Sequence, residues 1–278
     1  MSLGKTLNHE AAEDRFSFTP FTLHPFFTQV NNWIIDKVIG PGRQVIVDLG
    51  CGPGAVTKLI LERLNGTEPH PRVIGVDPSP SALAKARAAI SSRLAEFKEG
   101  TAEFLSRLVP PADAVVFLNA IHLVEDKHQV LGEIRKALKP RGLLGFNSTF
   151  FAGAYVEGTS GFWRRWIVRA VQALREKGIA VRHEGHAAAM KWLSADEYAA
   201  ACLKAGLRPT TVELVQVQMT AAALSDIGRF SLFIEGALPG VPLEEGSAAL
   251  QTGLERTMDE LKVESVPRNW LEVVAEAV

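Results

Sequence analysis

A doubly wound α/β fold, with a mostly parallel sheet and helices on both faces, is predicted by three observations. Between residues 43 and 150, short apolar runs rich in Val and Ile alternate with segments of helical period. The first run ends in a glycine turn, Gly50-Cys51-Gly52-Pro53-Gly54. The second ends in an acidic residue, Asp77, roughly 20 residues beyond that turn. Alternation at this spacing leaves room for crossover helices, which pack on both sides of parallel strands.

Each element has a local reason. Residues 23–39 carry Phe26, Phe27, Trp33 and Ile34 in the pattern of an amphipathic helix. Val45–Leu49 is apolar and β-branched, as in a strand buried on both faces. Residues 55–64 have helical period, and 72–76 form a second apolar run closed by Asp77. Ser79 is placed to cap an alanine-rich helix over 79–90. Residues 95–98 are a weak strand, 102–108 a short helix and 114–118 a strongly apolar strand. Residues 127–138 are helical, Lys139-Pro140-Arg141-Gly142 is the stop, and 143–148 is a further strand.

Beyond this core, 151–189 is aromatic and helical, without a strand pattern. Ser194-Ala195-Asp196-Glu197 has the form of a capping box opening a helix over 197–205, which Gly206 ends. Residues 210–219 are strand-like, 221–236 and 244–262 helical, and 270–277 a last strand. The expected organisation is an N-terminal helical cap (1–42), a Rossmann-like core (43–150), a helical insertion (151–193) and a C-terminal completion of the sheet (194–278). The last part contains a second helical insertion, about 221–262. Long segments after strand ends read as lids, with extra packing or a dimer surface as the alternative.

Composition excludes some functions. The 278 residues include 30 Lys and Arg against 31 Asp and Glu, and 47% are hydrophobic, enough for a substantial core. A nucleic-acid interface shows as a basic excess or stripe, and neither is present. Arg164, Arg165 and Arg169 form a basic cluster that reads as a solvated helix face, with contact to an acidic substrate or lipid surface as the alternative. No apolar run approaches the ~20 residues of a membrane helix. The amino terminus lacks the apolar core of a secretory leader. A disulfide at Cys51 would distort the glycine turn, so a reduced, cytoplasmic setting is expected.

Asp48 separates two cofactor classes. Gly50-Cys51-Gly52-Pro53-Gly54-Ala55 satisfies the dinucleotide pattern G-x-G-x-x-A, whose glycines let backbone approach a ligand. Asp48 stands just before that turn, where a carboxylate repels a diphosphate and attracts a cation. S-adenosylmethionine carries an ammonium and a sulfonium, so the loop favours it over NAD. Asp77 is placed to accept hydrogen bonds from both ribose hydroxyls, or else to cap the next helix.

Residues about 43–150 resemble the class I S-adenosylmethionine-dependent methyltransferases, in the branch acting on small molecules. The matching text is Val47-Asp48-Leu49-Gly50-Cys51-Gly52-Pro53-Gly54, then Gly75-Val76-Asp77-Pro78-Ser79, then Glu133 through Gly142 leading into the fifth strand. The resemblance implies that Asp48 with Gly50, Cys51, Gly52 and Gly54 holds the methionine part. It implies that Asp77 holds the ribose, that Pro78 flanks the adenine and that Ala102 offers it a backbone N–H. Asn119 would give a backbone carbonyl to the ammonium. Many relatives carry an acidic residue where this chain has Thr101, which can bond the adenine only through its hydroxyl.

Methyl transfer needs alignment and water exclusion, and a general base only where the nucleophile must lose a proton. His122 and Glu125, beyond the fourth strand, are the candidate bases, with packing as the plainer reading of His122. His183 and His186 lack further metal ligands, and no metal site is expected. Phe16, Phe18, Phe26, Phe27, Phe150, Phe151, Tyr155, Phe162, Trp163 and Trp166 crowd the segments expected to cover the site. They suit a small apolar or aromatic methyl acceptor, and the residues up to about Phe18 are expected to order upon binding. The competing readings are an NAD(P)-dependent oxidoreductase, for which no Tyr-x-x-x-Lys pair is found, and a non-catalytic S-adenosylmethionine-binding protein.

Overall fold

The computed structural model describes residues 15–66, 70–181 and 192–278. The contacts form two compact units. One holds Pro25–Ala154, Trp192–Val215 and Asn269–Val278; the other holds, among the described residues, 15–24, 155–181 and Gln216–Arg268.

The larger unit begins with α1 (Pro25–Val38), which buries Phe27, Val30, Ile34, Ile35 and Val38 on one face. Then β1 (Val45–Leu49) leads through the glycine turn into α2 (Ala55–Arg63). Next, β2 (Arg72–Asp77) leads to α3 (Pro80–Ala89), whose N-cap Ser79 hydroxyl accepts the Ala82 N–H. After β3 (Ala95–Glu99) come a 3-10 turn (Ala102–Phe104) and the single-turn α4 (Leu105–Leu108). Then β4 (Ala112–Leu118), α5 (Lys127–Ala137) and β5 (Leu138–Ser148) follow. Residues 139–142, expected as a helix stop, are already part of β5, with a register shift between Ala112 and Ala114 on its partner strand.

In the smaller unit, α6 (Ser160–Glu176) occupies about half of the long stretch expected to be helical. Residues 151–159 instead form turns, with single bridges from Ala152 to Ser194 and from Tyr155 to Arg268. The larger unit resumes with α7 (Ala195–Lys204), whose capping box is complete: the Ser194 hydroxyl accepts the Glu197 N–H and the Glu197 carboxylate accepts the Ser194 N–H. Then comes β6 (Leu207–Thr220). In the smaller unit, the segment 221–236 is broken at residues 228–230 into α8 (Ala221–Ile227) and α9 (Ser231–Ala237). After these, α10 (Leu243–Leu261) packs along α6, and the Trp166 indole donates to the Leu250 carbonyl at 2.7 Å. Arg165 and Arg169 both pair with Glu260 on α10, so these two arginines serve helix pairing. The last strand, β7 (Ser265–Ala277), begins five residues before the expected 270.

Among the described residues the strands form one seven-stranded sheet in the order β3-β2-β1-β4-β5-β7-β6. The first five are parallel and β7 runs antiparallel to β5. The order reverses between β1 and β4, the switch point at which doubly wound sheets open a crevice. No helix among the described residues is long and apolar enough to cross a membrane. Cys51 and Cys202 are both free and buried.

Close contact between α1 and β5 depends on Gly145. A Cβ there would run into the Ile34 side chain and stand 2.7 Å from the Val38 Cγ2. Gly145→Ala should therefore destabilise the protein by about 1–3 kcal/mol, the cost of overpacking a tight core. Urea unfolding monitored by circular dichroism measures it.

Candidate functional site

The glycine turn is folded back onto the end of β2. The Gly50 and Cys51 N–H groups both donate to the Val76 carbonyl, at 2.7 and 3.2 Å. The Gly52 N–H donates to the Asp77 carboxylate at 2.8 Å. Gly54 then opens α2 with a φ of 92°, and a Cβ there would stand 2.7 Å from Ile90 Cδ1. Glycine is required on both counts.

Four strand ends converge here. From β1 comes Asp48, 1% exposed, accepting a 2.6 Å hydrogen bond from the Thr57 hydroxyl. Burial pushes its carboxyl up to about 7, opposed by the Thr57 hydrogen bond and reinforced by the Asp77 charge. From β2 comes Asp77, whose second oxygen accepts the Ser79 N–H at 2.9 Å. Burial raises this carboxyl too, against the two backbone hydrogen bonds. Pro78 sits within that Asp77–Ser79 turn. Beyond β3, the Gly100 N–H donates to the Asp77 carbonyl at 3.1 Å, which anchors Thr101 and the buried Ala102 beside β2. Thr101 caps nothing with its side chain. From β4 comes Asn119, and the following Ala120 lies against Gly50.

Asp48 and Asp77 are both buried acids, and neither has an ion-pair partner among the described residues. Negative charge without a protein cation fits a ligand that brings its own positive charge. That is the chemistry of S-adenosylmethionine and not of a dinucleotide diphosphate. Burial also raises the Cys51 thiol, so this cysteine is inert packing and not a nucleophile.

His122 is buried, with Nδ1 3.1 Å from the Ser148 hydroxyl and its ring 4.5 Å from that of Phe150. Phe150 in turn lies 6.0 Å from the Trp192 ring. Glu125 is exposed and makes no hydrogen bond or ion pair within the described residues, so the structure does not bring it into the cluster. His183, Glu184 and His186 lie outside the described residues, as does the segment before Arg15. Among the described residues no group of three His, Cys, Asp or Glu is arranged to hold a metal.

Sequence reasoning missed a second polar cluster. Asn31 on α1, Asn119 after β4, Asn147 on β5 and Trp270 on β7 are joined by hydrogen bonds, and Glu272 faces Asn147 in register. The available signals were an Asn inside the apolar stripe of α1 and single polar residues inside two apolar strands. Glu272 is fully buried, and among the described residues no donor makes a well-aligned hydrogen bond to either carboxyl oxygen, the Asn147 side chain being the neighbouring polar group. Burial pushes it up to about 9, with Asn147 opposing the shift and the Glu213 charge adding to it.

A raised carboxyl makes stability fall with rising pH. The folded protein keeps the Glu272 proton to about pH 9, while the unfolded chain loses it near 4.5. The stabilising proton is fully held below about 4.5, and the benefit is lost as pH rises toward 9, at up to about 1.4 kcal/mol per pH unit. Asp48 adds a similar slope between 3.8 and about 7. Glu272→Gln should flatten the decline between pH 7 and 9, measured by urea unfolding across a pH series.

Known proteins resemble this chain over its core and in its fold. Residues 47–144 match the family model of the methyltransferase domain. A trans-aconitate 2-methyltransferase of Rhodopseudomonas palustris (strain HaA2) is 40% identical over 84 residues, which cover 30% of this chain and 29% of the relative. The chain thus matches well under half the length of such curated relatives. A putative methyltransferase from Bacillus halodurans C-125 superposes with a TM-score of 0.58 at 13% identity, covering 89% of this chain and 98% of that one. Geranyl diphosphate methyltransferase, solved with S-adenosylmethionine, superposes at 0.51 and 17% identity over 92% of this chain and 87% of that one. Residues 47–144 of this chain thus match a methyltransferase domain, set in the fold of the methyltransferases with which the chain superposes.

Proposed function

We propose that the protein binds S-adenosylmethionine at the ends of β1 to β4 and transfers its methyl group to a small, apolar or aromatic acceptor. The observation that carries this reading is the pair of buried carboxylates, Asp48 and Asp77, without a protein cation. A cationic cofactor relieves their desolvation and mutual repulsion. When bound, the cofactor supplies an electrophilic methyl on a sulfonium, so the protein needs no strong activation of the leaving group.

In this reading Asp77 accepts the ribose hydroxyls with the lone pairs left over from Gly52 and Ser79. Asp48, Gly50, Cys51, Gly52 and Gly54 receive the methionine part, Pro78 and Ala102 flank the adenine, and the Thr101 hydroxyl bonds its edge. The main chain of Asn119 receives the ammonium. His122, held by Ser148, takes the proton of a hydroxyl acceptor, while Phe150 and Trp192 supply an apolar wall. Trans-aconitate, named for the relatives in the comparison, is the polar member of the acceptor panel to be tested against phenols and amines.

Calorimetry with S-adenosylhomocysteine should show binding, and NADH should show none. Asp77→Asn should weaken that binding by about 1–3 kcal/mol, the worth of hydrogen bonds to a charged acceptor. Tight NADH binding with no heat from S-adenosylhomocysteine would overturn the reading. With an accepted hydroxyl substrate, His122→Asn should lower kcat while leaving the S-adenosylhomocysteine affinity in place.

A further inference from the structure

Asn119 is the first residue after β4, and its φ is 55°. The left-handed region is unfavourable for residues with a Cβ, and Asn enters it at lower cost than most. Three hydrogen bonds hold Asn119 there. Its N–H donates to the Asn147 Oδ1 at 2.8 Å. Its side-chain amide donates to the Asn31 Oδ1 at 2.9 Å. Its own Oδ1 accepts the Trp270 indole N–H at 3.2 Å.

The clamps are themselves fixed. Asn147 and Asn31 are both fully buried. The Asn147 amide donates to the same Asn31 Oδ1, at 3.1 Å. The Asn31 amide donates to the Phe27 carbonyl one turn back along α1, at 2.7 Å. Trp270 is also fully buried and packs its ring 5.6 Å from Phe26 of α1. One backbone residue is thus gripped from a helix and from two neighbouring strands. Buried amides impose a large penalty when left unpaired, so a closed ring of them is more than packing requires.

We propose that Asn31 and Asn147 are positioning residues for cofactor binding, which with the Trp270 indole lock the main chain of Asn119 into its left-handed turn beside the glycine loop. The inference rests on the reading above that the Asn119 main chain meets the cofactor's ammonium. It adds the claim that the conformation, not the side chain, is what the ring of amides secures. Neither Asn31 nor Asn147 needs to touch the cofactor.

The test uses glycine, which adopts the left-handed turn without a clamp. Asn147→Ala should weaken S-adenosylhomocysteine binding about tenfold or more by calorimetry, with its circular dichroism spectrum retained. Adding Asn119→Gly to that variant should recover most of the lost affinity. Asn119→Ala, which removes the two side-chain clamps at a partly buried position and disfavours the turn, should also weaken binding and supplies the test if Asn147→Ala fails to fold. Unchanged affinity in Asn119→Ala, or a folded Asn147→Ala whose loss glycine does not recover, overturns the proposal. Absence of binding by the wild type would instead overturn the cofactor reading on which it rests.

Discussion

The site depends on one backbone carbonyl. Val76 receives two N–H groups from the glycine turn, and the next residue, Asp77, receives a third through its side chain. These bonds weld the β1–α2 connection onto the end of β2. They leave the turn's outer face open to a ligand, because no side chain projects from its three glycines. The same Asp77 reaches to β3 through its own carbonyl, by way of Gly100. Three strand ends are therefore set by a few bonds around two successive peptide units.

This arrangement places charge where the protein by itself would disfavour it. Asp48 and Asp77 are both raised by desolvation, and the Asp77 charge raises Asp48 further. Glu272 adds a third buried acid whose proton is held by lack of solvent. A fold selected for stability alone would place apolar residues at such points. Strained or unsatisfied polar groups gather where a ligand is to be received, and the stability they remove is regained when it binds. The nearby asparagine ring shows the complementary design, with polar groups satisfied by one another and held rigid.

Much of the core was legible in the sequence. Short β-branched runs and helical segments between residues 43 and 150 gave elements whose ends fell within a few residues of those observed, since apolar periodicity and capping act locally. Ser79 and Ser194 were readable as caps for the same reason. The failures were equally physical. The helix does stop before residues 139–142, but the next strand begins at Leu138 and not at 143, because Leu138 already pairs with Ala112 and the intervening residues bulge out of the ladder. Residues 151–159 and the break at 228–230 were hidden inside stretches of helical composition, where tertiary contacts set the ends.

By itself the sequence determined the order of the core elements, the glycine turn, the acid Asp48 that separates a cationic ligand from a diphosphate, and the acid Asp77 at the end of the second strand. These follow from residue type and near-neighbour spacing. The tertiary structure alone decided that Asn31, Asn119 and Asn147 close a ring joined by the Trp270 indole, and that Glu272 is buried beside it. It also decided that Glu125 stands apart from the cluster. Such matters rest on contacts between residues up to 151 positions apart. No local pattern encodes them, because a polar side chain in an apolar run looks the same whether or not a partner awaits it across the sheet.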